Sequence, residues 1–204
     1  MLVGLKTVDF MMHKDLLCKQ SMAFNTLLKK PRPLGNNLLV LDHSVVTVHY
    51  FNEWLYTGTI KAQDWQSLLD VYIFAEKYAI LNLQDKVVNK MIQQTYSGDV
   101  KSPSCTLISS KWSELAADSP LRNLLVKTYA DYGDTVETIK QANLVNAPVQ
   151  FVASLAQTFY ERAQDGKDEE SVLWSRKCMW HVHDKEELCS LSSEDKEFEQ
   201  EFFT

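Results

Sequence analysis

The residues best suited to metal chemistry lie near the carboxyl end of the chain. Two thiols and two imidazoles fall within 12 residues there: Cys178, His181, His183 and Cys189. These are the side chains that hold a tetrahedral Zn²⁺, and four protein ligands leave no open coordination position for a substrate. The spacing therefore predicts a structural zinc knuckle, and zinc is the one cofactor that the sequence suggests.

A second interpretation of the same segment needs no metal. His181 and His183 are two residues apart, a spacing that points the two rings in different directions on a helix. Trp174 and Trp180 lie close to the four ligands, and such large side chains can dock the segment onto the rest of the chain. Both interpretations stay open at this point.

No catalytic constellation is visible in the sequence. The chain has no Gly-x-Ser-x-Gly elbow, no glycine-rich phosphate loop and no His-Glu-x-x-His motif. His13 is expected to be a structural histidine and Cys18 to pack as a small hydrophobic residue, while Cys105 has no adjacent basic residue to activate its thiol. We therefore do not predict an enzyme.

Charge and composition narrow the class of partner. The 204 residues carry 21 basic and 27 acidic side chains, a net charge of −6, which argues against a nucleic-acid or anionic-membrane surface. The only basic cluster, Lys29-Lys30-Pro31-Arg32, is interpreted as a solvated loop. No apolar stretch approaches the ~18 residues of a membrane span. We expect an intracellular protein, cytoplasmic or nuclear, with its four cysteines reduced.

The first forty residues carry strand signals as well as helix signals. Residues 2–12 alternate loosely between apolar and polar, which predicts a short strand pair turning around Gly4-Leu5-Lys6. One or two short helices are expected from Lys14 to about Leu28. A loop rich in proline and glycine follows, and the apolar run Leu38-Leu39-Val40-Leu41 is predicted to be a buried strand.

The rest of the chain has helical patterns with clear start and stop signals. Gly58 is placed to end one helix in the left-handed conformation, and Asp64 is placed to cap a helix that runs to Tyr78. Asn82 is predicted to cap the helix after that, and Ser119-Pro120 is the strongest start signal in the chain. A further helix begins at Pro148 and ends before Gly166, with an apolar face predicted from Val152, Leu155, Ala156 and Phe159.

This order of elements resembles the BTB/POZ domain, and four segments carry the resemblance to its fungal branch. They occur in the family's order: Phe10-x-x-His13-Lys14-Asp15-Leu16-Leu17-Cys18, Trp54-Leu55-Tyr56-Thr57-Gly58-x-Ile60, Leu69-Asp70-Val71-Tyr72-x-x-Ala75-Glu76-Lys77-Tyr78, and Ser119-Pro120-Leu121-Arg122. The resemblance implies an α+β fold, with a small N-terminal β-sheet packed on a helical cluster and additional C-terminal helices. The expected organisation is a BTB/POZ domain at 1–97, a helical extension at 98–165 and a partly disordered tail at 166–204.

The family's function is protein–protein interaction. The resemblance implies a homodimer formed through the first helices and the N-terminal strand, acting as a scaffold or adaptor. The chain begins inside what resembles that strand, so we expect the segment exchanged in many such dimers to be absent. The alternatives are a substrate adaptor of a cullin-based ubiquitin ligase and a zinc-stabilised regulatory module. Against cullin binding, Trp65-Gln66-Ser67 has serine where the family favours an acid.

These expectations assign specific residues to protein contacts. Residues 14–28 and 48–57 are predicted to form the self-association surface, and residues 64–78 to dock other proteins. The side chains predicted to make the contacts are Leu17, Phe24, Phe51, Trp54 and Trp65. The acidic tail ends with Phe198, Phe202 and Phe203, which belong either to a solvated end or to a peptide that enters a partner's groove.

Overall fold

The computed structural model describes residues 8–30, 39–97, 102–132 and 147–165, and helices make up most of this part of the chain. In chain order the helices are α1 (Lys14–Gln20), α2 (Met22–Lys29), α3 (Val45–Thr57), α4 (Trp65–Lys77), α5 (Leu81–Ser97), α6 (Cys105–Lys111), α7 (Pro120–Tyr132) and α8 (Val149–Asp165).

The predicted α+β fold is wrong for this part of the chain, because its four described ranges contain no β-strand. Residues 8–12 and 39–42 are irregular, although they keep the alternation that suggested strands. Phe10 and Met12 pack against the helices while Met11 is exposed. Leu39 and Leu41 pack in the same way on either side of exposed Val40. A strand also needs a neighbouring strand to bond its backbone, and these two segments rest on helix side chains instead.

Several helix ends lie where the local sequence predicts them. The Asp64 carboxylate accepts a hydrogen bond from the backbone N–H of Ser67 at 2.8 Å and caps α4. Gly58 ends α3 with a φ of 72°, the left-handed conformation that glycine adopts without strain. Helix α7 begins at Pro120, and α8 ends at Asp165, one residue before Gly166.

The predicted cap at Asn82 is wrong. Helix α5 begins one residue earlier, at Leu81, after a tight turn in which Ala79 has a φ of 49°. The backbone N–H groups of Leu83 and Gln84 bond to the carbonyl of Ile80. The Asn82 side chain lies on the exposed side and donates instead to Gln20, 3.3 Å away.

The buried side chains form two clusters. The first core lies between α1 and α5 and takes in one face of α7, and its largest fully buried members include Phe24, Phe51, Leu68, Tyr72, Phe74, Leu83 and Met91. The second core lies between α6, α7 and α8 and consists of Cys105, Ile108, Trp112, Val126, Tyr129, Phe151 and Leu155. Helix α7 belongs to both, because Leu121, Leu124 and Leu125 face the first core while Val126 and Tyr129 face the second.

In the described ranges, no helix is both long enough and apolar enough to cross a membrane. The predicted domain boundaries at residues 97 and 165 stay predictions. Helix α7 contributes side chains to both cores.

Candidate protein-interaction surface

The five side chains predicted to contact a partner all lie inside the first core. Leu17, Phe24, Phe51, Trp54 and Trp65 are each buried, with at most 8% of their surface exposed. Their role in partner binding stays a prediction. Any surface that a partner meets in this region must be formed by the exposed neighbours of these residues.

Stacked aromatic rings hold the N-terminal helices in place. The Phe24 ring of α2 stacks on Tyr78 with centroids 4.7 Å apart and also faces Phe51 at 5.9 Å. Phe74 of α4 contacts Phe51 at 4.8 Å and Tyr78 at 4.7 Å. Aromatic pairs in this distance range stabilise by roughly 0.5–1.5 kcal/mol beyond the burial of their area. Helices α2, α3 and α4 are therefore fixed relative to one another.

One buried hydroxyl adds a polar tie at the same place. The Ser21 side chain accepts a hydrogen bond from the Phe24 backbone N–H at 3.0 Å and so caps α2. It also donates to the carbonyl of Tyr78 at 2.5 Å, just beyond the end of α4. Ser21 therefore separates α1 from α2 and anchors the start of α2 to the α4–α5 turn.

His13 and Tyr56 join the start of α1 to the end of α3. The His13 backbone N–H donates to the Tyr56 hydroxyl oxygen at 3.0 Å, and that hydroxyl lies 2.7 Å from Nδ1 of His13. The two rings also meet edge to face, with centroids 5.7 Å apart. His13 therefore has a structural role, which agrees with the interpretation from sequence.

The exposed apolar side chains of α3 and of the segment before His13 form one candidate surface. On α3, Val45 and Tyr56 lie on the outer side with Val46 next to them, because the spacing of eleven residues is close to three helical turns. The segment before His13 continues the same region with Val8 and with Met11, which is 94% exposed. We call Val8, Met11, Val45, Val46 and Tyr56 the α3 surface.

Charged and polar groups border the α3 surface. His49 is exposed on the same side of the helix. Glu53 forms an ion pair with Lys61, which follows the helix end. Protein-binding sites usually combine apolar and polar side chains.

The predicted docking region at residues 64–78 is α4, which is the central helix of the first core. Eight of its side chains are buried: Trp65, Leu68, Leu69, Val71, Tyr72, Ile73, Phe74 and Ala75. Burial raises the pKa of the Tyr72 phenol to about 12, so it stays protonated at neutral pH. Partner docking on α4 stays a prediction, and it would have to use exposed residues such as Gln66 and Lys77.

A polar cleft lies beside α4, where the first core meets the end of α6. Its volume is about 320 Å³, and its lining includes Asp42, His43, Ser44, Thr47, Asp70, Ile73, Lys111 and Glu114. The Lys111 ammonium bonds to Asp70 at 2.8 Å and to Glu114 at 2.9 Å. Burial alone would lower the pKa of Lys111, but these two carboxylates outweigh it and raise that pKa.

The ion cluster in the cleft was not predicted from sequence, because Asp70 and Lys111 are distant along the chain. It joins α4 to α6. The cation is already paired with both carboxylates, so the cluster has the character of a structural tie. It gives no support to an acid–base site.

Arg122 has a structural role that explains part of the Ser119-Pro120-Leu121-Arg122 segment. Its guanidinium donates to the carbonyls of Trp112 at 3.0 Å and Leu115 at 2.8 Å, and it lies 4.8 Å from the centroid of the Trp112 ring. Arg122 thereby closes the turn between α6 and α7. The sequence spacing did not predict that the Arg122 side chain would bond to the carbonyls of this turn.

The predicted zinc ligands Cys178, His181, His183 and Cys189 lie outside the described residues, so the zinc knuckle stays a prediction. Within residues 8–30, 39–97, 102–132 and 147–165, no cluster of His, Cys, Asp and Glu could hold a metal ion. Cys105 is buried in the second core. Its burial raises the pKa of the thiol, which opposes the reactive thiolate form.

Comparison with known proteins identifies the N-terminal part of the chain. Residues 1–95 match the family model described as BTB/POZ domain. A search of curated proteins and a search of solved structures gave no match. The matched residues include α1 to α4 and most of α5, so they contain the α3 surface. The match supports a protein–protein interaction module, and domains of this family are not enzymes. It does not address the fungal type, the homodimer or the cullin adaptor.

Proposed function

We propose that this chain is a BTB/POZ interaction protein that self-associates, and that the α3 surface makes the contact between two copies. The observation that carries the proposal is the set of exposed apolar side chains on α3 and just before His13, within the residues that match the family model. The chain would serve as a dimeric scaffold or adaptor.

The buried residues beneath the α3 surface support this assignment. Phe51 and Trp54 lie on the inner side of α3, where they pack in the first core. The helix is therefore held with its orientation fixed, and Val45, Val46 and Tyr56 are presented outward without rearrangement. A surface that is already formed costs less conformational entropy when it binds.

The composition of the α3 surface supports a second copy as partner. The α3 surface combines exposed apolar side chains at both ends of α3 with exposed His49 between them. Homodimer interfaces are more apolar than transient ones. Met11 adds a flexible side chain that adapts to an irregular partner surface. A nucleic-acid surface would instead concentrate lysine and arginine side chains.

Light scattering of the full chain at several concentrations tests the proposal. We expect the mean mass to rise from one copy to two as the concentration increases. Val46→Asp and Met11→Asp should each weaken self-association at least about tenfold, because each places an unpaired charge in the contact.

Val149→Asp is the control, since Val149 is also exposed but lies on α8, which packs against α6 and α7. It should leave the dimerisation equilibrium unchanged. A chain that stays monomeric at all concentrations would overturn the proposal. So would a dimer that Val149→Asp disrupts while Val46→Asp does not.

A further inference from the structure

Helix α8 has a second apolar face, which points away from the core. Phe151 and Leu155 are the side chains that it buries against α6 and α7. A separate stripe runs the length of the helix, and its members are Val149, Val152, Ala153, Ala156, Phe159, Tyr160 and Ala163. At 100° per residue these positions fall within a sector of about 120°. We call them the α8 stripe.

Most of the α8 stripe is exposed. Val149 is 78% exposed and Tyr160 is 64% exposed, and Phe159 and the three alanines are exposed as well. Val152 is half-buried and packs on the edge of the second core. The stripe is therefore an apolar surface that continues directly from buried side chains.

Polar contacts fix the rotation of α8, so that the helix cannot simply turn to bury its stripe. The Arg162 guanidinium pairs with Asp131 at the end of α7. It also donates to the carbonyl of Ala130 at 3.2 Å. Turning the helix by one residue would remove both contacts and withdraw Phe151 from Trp112 and Tyr129, whose ring centroids lie 5.5 Å away.

We propose that residues 172–180 of the same chain fold back onto the α8 stripe. This proposal is independent of self-association through the α3 surface. The segment reads Val-Leu-Trp-Ser-Arg-Lys-Cys-Met-Trp, and it follows six polar or glycine residues, 166–171, that begin directly after the helix. Trp174 and Trp180 would supply large apolar rings to the contact, and Val172 and Leu173 would add smaller apolar side chains.

The linker is long enough to reach the stripe. Helix α8 has 17 residues and is therefore about 25 Å long. The eight residues from 166 to 173 span up to about 26–29 Å when extended. The chain can thus reverse at Gly166 and place Leu173 or Trp174 at any point along the helix.

The size of the stripe favours a tethered segment over a second copy. One helix face about 10 Å wide and about 25 Å long covers on the order of 250 Å². A specific complex takes about 800 Å² from each partner. A tethered segment instead meets the stripe at an effective concentration in the millimolar range, so a small contact area suffices.

Hydrogen–deuterium exchange of the full chain tests this proposal, with Ala156→Glu and Ser154→Glu as a matched pair. Both introduce the same side chain at exposed positions of α8, but only Ala156 lies on the stripe. In the unchanged protein we expect amides of residues 172–180 to exchange at least about tenfold more slowly than those of residues 192–204. Ala156→Glu should abolish this difference, and Ser154→Glu should preserve it.

Trp174→Ser combined with Trp180→Ser gives a second route to the same result. The double variant should also lose protection in residues 172–180. Equal exchange rates for residues 172–180 and 192–204 in the unchanged protein would overturn the proposal. If Ala156→Glu removed protection from residues 133–146 and not from residues 172–180, the segment covering the stripe would be residues 133–146. Protection of α8 that depends on concentration would assign it to a second copy, and either result also overturns the proposal.

Discussion

The two cores of this protein differ in how many helices build them and in how much apolar surface they leave exposed. The first core draws on six helices and is centred on stacked aromatic rings, with Phe51 and Phe74 fully buried. The second core draws on three helices and has few fully buried side chains, among them Phe151. Its last helix, α8, keeps an apolar stripe on the outside.

This difference implies a one-way dependence between the two regions. Helix α7 packs one face against each core. If the first core unfolds, α7 is released and the second core loses the helix against which α6 and α8 pack. The first core would keep α2, α3, α4 and α5 packed together if only α8 were released. The region that matches the BTB/POZ model should therefore be the more stable part, and α8 the part that opens first.

The largest effect should come from the centre of the first core. Phe51→Ala removes a fully buried ring that contacts Phe24, Phe74 and Trp54, and it should lower the free energy of unfolding by about 3–5 kcal/mol. Urea denaturation measures this loss. Val45→Ala on the outer side of the same helix is the control, with an expected change below about 0.5 kcal/mol. Equal losses in the two variants would contradict the assignment of α3's inner face to the core.

The same kind of truncation in the second core should act locally. Phe151→Ala removes the ring that meets Trp112 and Tyr129 edge-on, and it should release α8 while the first core stays folded. Hydrogen–deuterium exchange would then show lost protection in α8 and unchanged protection in α4. If α4 lost protection to the same extent, the two regions would unfold as one unit and the one-way dependence would be wrong.

A smaller effect is expected at the turn that joins the two regions. Arg122→Lys keeps the positive charge but cannot donate to the carbonyls of Trp112 and Leu115 with one planar group stacked on the Trp112 ring. The free energy of unfolding should fall by about 1–3 kcal/mol in urea denaturation. Unchanged stability would mean that packing alone holds the turn.

The smallest effect concerns pH and belongs to the first core. Burial lowers the pKa of His43 below 6.5, with a further lowering from Lys77, against the opposing charges of Asp42, Glu114 and Asp70. The unfolded chain therefore binds a proton at this position before the folded protein does. The contribution of His43 to the free energy of unfolding is therefore fully present above pH 6.5, and it is lost progressively as the pH falls below that value.

His43→Gln isolates this contribution from that of the carboxylates. Between pH 7.5 and 5.5, urea denaturation should show a smaller loss of stability for the variant than for the unchanged protein. A loss of equal size in the two proteins would mean that His43 titrates alike in the folded and unfolded states.

Local signals in the sequence predicted much of the helical framework. Asp64 and Gly58 act within one turn of their own position, so their roles as caps follow from residue type and spacing. Ser119-Pro120 and Gly166 likewise marked the start of α7 and the end of α8. The BTB/POZ resemblance was also confirmed for residues 1–95, while the fungal type and the resemblance at Ser119–Arg122 stay predictions.

Two of the errors arose where the outcome depends on a distant part of the chain. The apolar run at 38–41 was predicted to be a strand, but residues 39–41 pack alternate side chains on helices without a strand partner. On α8, the predicted apolar face was right at Leu155, which is buried, and at Val152, which is half-buried. It was wrong at Ala156 and Phe159, which are exposed, and it missed Phe151, which is fully buried. The position of α7 and the Arg162–Asp131 ion pair set that rotation, and periodicity alone could not choose between adjacent apolar faces.

The sequence by itself determined where most of the helices begin and end, because caps and turns depend on groups a few residues apart. It also carried the resemblance to the BTB/POZ domain, and residues 1–95 match that family model. Only the tertiary structure decided which apolar side chains are buried and which remain exposed. That division depends on how helices from separate parts of the chain pack together, and it transfers the candidate contact from Phe51 and Trp54 to the outer side of α3.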